Sequence, residues 1–549
     1  VTRTAPAPPW WQSAVFHEVY LPSFADGSGR GVGDIPGLLG RLPHLVDLGV
    51  DAVWLSPWFR SPMHDGGYDI TDYRDIDPTF GTKADALALI ERCHQLGLRV
   101  LVDLVANHTS TEHPWFRAAV AAPPGSPARQ RYHFRAGRGR RGDEPPNNWI
   151  SAFGGPAWTR LPDRAGEPGE WYLHLFSPNQ ADLNWDCPEV AAEFDDVMRH
   201  WLDLGVDGFR VDAASALAKH GDLPAVDLDL SAGFTPRDWP PTPFWDVDGL
   251  HDILRRWRSI TNEYPGDRCL VGEVVVSSPH RLAAYLRPDE LHSAFAFDLL
   301  HAPWDATAMR EAIDRSLAAV ERDAHDAATL TWVLSNHDET RQVTRYALVE
   351  TAVGERTVDL DVGLARARAA LLLQLALPGA ACLYQGEELG LPEVLDIPAE
   401  LRRDPAFHRT SGAVLGRDGC RVPLPWAGDH SPFDFTSAEP WLPQPNDWAS
   451  LTAAAQRNQP ASTLNLYRHA VRLRRQLLGP NSAPLCWRES PPGTLVFDRP
   501  AALTCIVNLA AEPITLDRRP VLVSTEHHDT TLLPPNSAAW LAGPRHTPA

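Results

Sequence analysis

The sequence is short of the features that tie a chain to a membrane, an oxidising compartment or a nucleic acid. No apolar run reaches transmembrane length, and the amino terminus, Val-Thr-Arg-Thr-Ala-Pro, has no apolar core for a secretory signal. Seven cysteines, spread from Cys93 to Cys505 without a short paired spacing, fit neither a disulfide framework nor a zinc site. Their odd number points to a reducing compartment, so the expected location is cytoplasmic. Positive charge is scarce: a formal net charge of −20 and a pI near 5.5 repel phosphate backbones and argue against nucleic acid as a partner. The exception is the run from Arg129 to Arg141, whose Gly-rich setting, with Tyr132 and Phe134 as its only stacking platforms, reads as a solvated loop. No internal repeat or low-complexity tract is present. Twenty tryptophans are plentiful, and flat apolar surfaces of that kind pack on sugar faces. A small oligosaccharide is the expected partner, with no membrane and with the oligomeric state left open.

The 549 residues hold room for several domains. From Val15 a strand-helix-strand pattern repeats, which implies a parallel sheet covered by helices. Thr82 with Asp85 three residues on resembles a capping box, and Ala86, Leu89, Ile90 and Cys93 recur at helical spacing before Gly97. The next run, Arg99 to Val105, is apolar except for Asp103, as in a strand buried on both faces. Further strands are predicted near 16–21, 52–55, 208–211, 269–274, 293–297, 331–334 and 380–383. Eight is the number that closes a barrel. The expected fold is therefore α/β, a (β/α)8 TIM barrel in two parts, 1–112 and 173–479. A Pro-, Gly- and Trp-rich lobe is inserted at 113–172 after strand 3. A Pro-rich excursion at 391–458 is expected to wall the pocket. A C-terminal antiparallel, β-sandwich-like domain follows at 480–549, with short runs such as 494–497 and 503–507.

Four polar clusters fall at strand ends: 103–108, 208–213, Gly272-Glu273 and Ser335-Asn336-His337-Asp338. In an eight-stranded α/β barrel those ends share one rim. Arg210 and Asp212 stand two apart on a strand, so the guanidinium can aim an ionised carboxylate, which can act as a nucleophile. Cleaving a glycosidic bond with retention needs such a carboxylate and a carboxylic acid about 5–5.5 Å away. Asp212 and Glu273 form the candidate pair. Asp338 would favour developing positive charge and raise the proton affinity of Glu273. His108 and His337 would donate hydrogen bonds to sugar hydroxyls.

These clusters, with 49–57 on the second strand and 182–186 after the insert, resemble the signature regions of the α-amylase superfamily, glycoside hydrolase family 13. The resemblance implies a retaining α-glycoside enzyme with Asp212 as nucleophile, Glu273 as acid/base and Asp338 as transition-state stabiliser. Within the superfamily the chain is similar to exo-acting α-glucosidases. Gly67-Tyr68-Asp69 resembles their motif for the terminal glucose, in which the tyrosine stacks on the sugar and the aspartate binds its outer hydroxyls. Arg421 in Arg421-Val422-Pro423-Leu424-Pro425-Trp426 matches the arginine that pairs with that aspartate and closes the pocket. Arg341 and a helix starting near Trp245 also match, and Arg210, Phe153 and Ala213 complete the expected substrate-binding set. True α-amylases carry a lysine-histidine pair just past the nucleophile, where this chain has 214–217, and that difference points to an exo mode. Ala213 stands where α-1,6-selective relatives tend to carry valine and α-1,4-preferring ones alanine or threonine. The resemblance thus implies hydrolysis of maltose and short malto-oligosaccharides, with transfer to sugar acceptors when water is outcompeted. Isomerisation of maltose or sucrose, α-1,6 preference, and a non-catalytic binding role are the alternatives.

One departure concerns the first loop, where many relatives hold calcium in an Asp-x-Asn-x-Asp-x-x-x-Asp pattern. Here it reads Asp26-Gly27-Ser28-Gly29-Arg30-Gly31-Val32-Gly33-Asp34. Calcium needs roughly six to eight oxygens, so no metal is expected, with the Arg30 guanidinium in its place. No cofactor is expected either. The cluster Glu526-His527-His528-Asp529 reads as a solvated loop.

Overall fold

The computed structural model describes residues 8–163, 168–230, 233–321, 328–350, 356–479, 484–525 and 531–543. Eight parallel strands close a barrel in chain order: β1 (Val15–Val19), β2 (Ala52–Leu55), β3 (Arg99–Leu104), β4 (Gly208–Val211), β5 (Cys269–Gly272), β6 (Ser293–Ala296), β7 (Thr329–Val333) and β8 (Ala380–Tyr384). All eight predicted strands are present, displaced by three residues at most. Nearly every strand residue is buried, because barrel side chains fill the interior on one face and meet helices on the other. Registers such as Arg210 beside Asp103 on β3 and Val271 on β5 fix which side chains reach the same level of the rim.

The helices that cover the barrel form for local reasons. The helix Lys83–Gln95 carries the predicted capping box between Thr82 and Asp85 and buries Ala86, Leu89, Ile90 and Cys93. Helix Ile35–Leu48 is capped by the Asp34 carboxylate, which accepts from Gly37 N, and stops at Gly49 in a left-handed conformation. The helix predicted near Trp245 starts five residues later, at Leu250.

Three excursions build up the rim. The inserted lobe holds a helix, Pro114–Ala121, and a small sheet of Phe134–Arg135, Trp171–Leu173 and Trp158–Arg160. Its stem is the pairing of Gln180–Asp182 with His108–Ser110, so the lobe is wider than residues 113–172. The arginine run is less solvated than expected: Arg129 is buried and donates to Ala119 O and to Glu170. A second excursion, 212–249, packs Trp239, Phe244 and Trp245 into an apolar cluster with Ala213. A third follows β8 and carries Arg417 and Arg421. The C-terminal domain is a five-stranded antiparallel sheet with a two-stranded companion, Ile514–Thr515 with Leu532–Leu533. Trp540 pins it to the barrel by donating to Leu372 O. The cluster at 526–529 lies outside the described residues. Among those described, no helix is long and apolar enough to cross a membrane.

Candidate active site

Arg210, the last residue but one of β4, has its guanidinium buried among three carboxylates. Nη1 lies 2.6 Å from Asp103 Oδ1 and 2.5 Å from Asp212 Oδ1, and Nη2 lies 2.8 Å from Glu273 Oε2. The cation also stacks on Trp54, 4.9 Å from its ring centre. Burial disfavours the charged arginine, but the surrounding carboxylates outweigh it and hold the guanidinium protonated. Burial pushes the Asp212 carboxyl up, Arg210 opposes that, and the charge of Glu273 adds to the rise. Asp103 is likewise pushed up, to about 6, by burial against the pull of Arg210. Asp212 and Glu273 thus share one cation. Ala213, between them in space, adopts a left-handed conformation with φ 43° that costs a non-glycine residue about 1–3 kcal/mol. That twist turns its amide onto Glu273 Oε2 at 2.8 Å.

Asp338 supplies the third carboxylate. Its Oδ1 accepts from Arg417 Nη1 at 2.9 Å and from Arg421 Nη2 at 2.8 Å. Burial would raise this group, but His337 and the arginines 417, 421 and 210 hold it well below the usual carboxylate range. His337 is fully buried, its ring parallel to Tyr20 at 5.7 Å on one side and to Tyr68 at 5.1 Å on the other. Its Nε2 lies 3.3 Å from Asp338 Oδ2.

The aspartate and arginine expected to bind the outer sugar hydroxyls need correction. Asp69 faces away from the cavity, accepting from Ser61 Oγ, His64 N and Asp65 N. Burial raises its carboxyl to about 6. The residue that lines the cavity is Asp65, whose Oδ1 pairs with Arg417 at 2.6 Å. Gly66 and Gly67, at φ 57° and 102°, turn the chain between these two aspartates. Arg421 does not pair with Asp69; it donates to His337 O and to Asp338. Arg341 is not in the cavity either, since it bonds the carbonyls of Gln385 and Cys420 and stacks on Tyr384. It ties the loops beneath the site.

Tyr68, His108, Phe153 and Ala213 do line the cavity, with Gln180 and Phe176, which sequence reasoning missed. His108 Nε2 is 3.0 Å from Tyr68 O and 3.1 Å from Gln180 Nε2, which also donates to Asp65 Oδ2. Behind it, buried Lys219 lies 2.8 Å from Asp182 and donates to Asn107 Oδ1, while Asn107 Nδ2 meets His108 Nδ1. An ammonium therefore fixes the backing of His108. Arg417 lies over the Phe153 ring at 4.7 Å and closes this side.

In the first loop Arg30 does not occupy a position between the aspartates; it is directed to Pro78 O at 3.2 Å. The carboxylates are taken by backbone amides instead. Asp26 accepts from Ser28, Gly29 and Gly31, and Asp34 from Gly27, Ser28 and Gly37.

Asp212, Glu273 and Asp338 all face one cavity of about 370 Å³ at the carboxyl ends of the strands. A neighbouring cavity of similar size, behind Val274–Val276, contains none of the three. A parallel barrel with an acid pair sharing one guanidinium at this rim defines a barrel glycoside hydrolase. Residues 18–479 match the Alpha-amylase family, described as alpha amylase, catalytic domain. The chain belongs to that family and is an α-glucoside-active glycoside hydrolase. It is 38% identical over 484 residues to a probable alpha-glucosidase of Rhizobium meliloti (strain 1021), covering 85% of this chain and 82% of that protein. It is 34% identical to an oligo-1,6-glucosidase of Parageobacillus thermoglucosidasius, covering 85% and 84%. Among solved structures, the alpha-glucosyl transfer enzyme XgtA superposes with a TM-score of 0.83 at 32% identity, covering 98% of this chain and all of that one.

Proposed function

We propose that the chain is a retaining exo-α-glucosidase that releases terminal glucose from α-1,4-linked maltose and short malto-oligosaccharides. The observation that carries this is the convergence of Asp212, Glu273 and Asp338 on one cavity around Arg210. Asp212 Oδ1 is held by Arg210, which leaves Oδ2 to attack the anomeric carbon. Glu273 Oε2 is taken by Ala213 N and Arg210, so Oε1 delivers the proton to the departing oxygen and later takes one from water. Ionised Asp338 stabilises the oxocarbenium-like transition state. Asp65, Arg417, His108 and Gln180 hold the hydroxyls of the terminal ring, and Arg417 over Phe153 bars a longer chain from continuing past it. The small Ala213 side chain supports the α-1,4 preference, worth about 1–3 kcal/mol at most.

A second reading is α-1,6 preference, favoured by the identity to an oligo-1,6-glucosidase. Both are tested by incubating the enzyme with maltose, isomaltose, sucrose, trehalose and maltotriose, with Asp212→Asn as the blank. Free glucose, formed fastest from maltose, is the expected product. Faster turnover of isomaltose overturns the linkage preference. A rearranged disaccharide with little glucose overturns hydrolysis in favour of isomerisation.

A further inference from the structure

We propose that the neighbouring cavity behind Val274–Val276 binds a small carboxylate with a flat apolar body, and that this ligand slows turnover without competing with the sugar. The binding stands apart from the glucosidase reading; the effect on turnover rests on it.

This cavity, of about 340 Å³, is walled by the segment after Glu273, the end of β6 and the helix Ala306–Glu321. Its sides are apolar where Val274, Val276, Leu282, Phe295 and Phe297 meet it. The two phenyl rings stand 5.8 Å apart at a tilt of 44°, a pair that a third ring can join in an edge or offset contact. The charged groups do not balance. Arg315 lies 3.2 Å from Asp298, and those charges cancel. Arg237 is half-buried and has no hydrogen bond or ion pair to any described residue. Ser316, only 3% exposed, likewise makes no side-chain hydrogen bond among the described residues. An uncommitted cation and a buried, uncommitted hydroxyl are thus left in a mostly apolar cavity.

A guanidinium presents parallel N–H groups that match a carboxylate at two points. A buried hydroxyl without a partner is costly, and a ligand oxygen restores what folding took from it. One net positive charge suits a monoanion better than a phosphate dianion. The volume and the apolar sides suit a body of about ten non-hydrogen atoms.

Two routes tie the cavity to the catalytic groups. Val275 lines both cavities, and on its far face it stands with Phe234 and Trp245 beside Glu273. Phe295 packs against Trp54, ring centres 5.5 Å apart, and Trp54 carries the Arg210 guanidinium at 4.9 Å. A body wedged against Val275 and Phe295 presses on both, and a displacement below about 1 Å at Glu273 or Arg210 is costly to proton transfer. None of Asp65, His108, Gln180 and Arg417 lines this cavity, so the ligand acts on kcat and not on KM.

The test titrates the full-length enzyme with phenylacetate by calorimetry, with phenylacetamide and acetate as the uncharged and the ringless controls. Phenylacetate is expected to bind about tenfold or more tightly than either. Arg237→Gln, which removes no hydrogen bond or ion pair among the described residues, is expected to lose that advantage. In the Asp212→Asn enzyme, saturating maltose is expected to leave the affinity for phenylacetate unchanged. Saturating phenylacetate is expected to lower kcat on maltose by about two- to tenfold at constant KM. Absence of binding, equal binding of phenylacetate and phenylacetamide, unchanged binding in Arg237→Gln, or displacement by maltose overturns the site. Binding with kcat unchanged overturns the effect on turnover. Absence of glucose release from every α-glucoside overturns the glucosidase reading, and the calorimetry still decides the site.

Discussion

Glu18 Oε1 lies 2.5 Å from His337 Nδ1 on the floor of the barrel, both side chains fully buried. Burial pushes the Glu18 carboxyl well above its ordinary range, although Arg210 pulls against it, and burial pushes His337 well below its own. Both groups therefore favour the neutral form. A neutral carboxyl donates its O–H to Nδ1, which leaves the imidazole hydrogen on Nε2, 3.3 Å from Asp338 Oδ2. Glu18 on β1 thus sets the tautomer of a residue 319 positions away in sequence.

Glu18→Gln retains a donor for Nδ1 and is expected to keep kcat/KM within a few-fold, whereas Glu18→Leu removes the donor and lowers it about ten- to hundredfold. Equal losses in the two variants would mean that Glu18 acts as an anion on a charged imidazole. Steady-state kinetics on maltose at pH 7 separates the cases.

With Asp212 as nucleophile and Glu273 as acid/base, the effects of replacing them are expected to diverge with the leaving group. Glu273→Gln is expected to cost roughly 10²–10⁴-fold on maltose, whose departing oxygen needs a proton. On 2,4-dinitrophenyl α-glucoside, whose phenolate departs unaided, the formation of the glycosyl-enzyme is expected to survive, seen as a burst of phenolate. Asp212→Asn is expected to abolish both reactions. A burst from Asp212→Asn would remove it from the nucleophile's role.

Asp65 and Arg417 form an ion pair on the cavity wall, while Asp69 serves the loop that carries Asp65. Asp65→Ala and Arg417→Ala are each expected to raise KM by about tenfold or more, and less than additively in combination because they share one contact. Asp69→Ala strips partners from Ser61 Oγ and two amides and is expected to lower Tm, at a cost of about 2–4 kcal/mol. The KM of that folded variant is expected to stay closer to wild type than that of Asp65→Ala.

The barrel was legible because its strands are apolar runs ending in polar residues, a pattern that buried parallel strands impose. The same pattern put Asp212, Glu273 and Asp338 on one rim. Asp65 was not legible: two aspartates flank the Gly66-Gly67 turn, and only backbone direction, set by positive φ at both glycines, decides which faces the cavity. Arg417 lies 352 residues from its partner in an excursion without periodicity, so neither spacing nor local pattern marks it. Phe234 and Trp245 sit in a similar irregular stretch.

In the first loop, amides in fixed orientation satisfy Asp26 and Asp34 where cation ligation was in question. EDTA is expected to leave Tm unchanged. Arg30→Ala is expected to change stability by less than about 0.5 kcal/mol, since among the described residues the side chain bonds only to Pro78 O. A large drop in Tm with EDTA, reversed by calcium, would show that the amides share the carboxylates with an ion.

Glu387 and Glu388 follow β8 as neighbours with opposite behaviour. Burial raises Glu387 to about 8, against the pull of hydrogen bonds donated by the Tyr384 backbone and Ser335 and of the Arg341 charge, and among the described residues its Oε1 has no hydrogen-bond partner. Glu388 is equally buried, but His17 and His44 hold it well below the ordinary range. An acid raised on folding contributes its full stability below its unfolded value of about 4.5 and loses it as pH climbs toward about 8. Glu387→Gln removes that loss, so the variant is expected to be more stable than wild type at pH 8, on the order of a few kcal/mol, and equal to it near pH 5. An acid lowered on folding behaves in the opposite sense: Glu388→Gln forfeits a contribution present above the unfolded value and is expected to be the less stable variant at pH 8. Thermal unfolding at both pH values reads the two signs directly. Matching shifts in the two variants would mean that adjacent carboxyls in one buried pocket share a charge state, against the distinct partners the fold gives them.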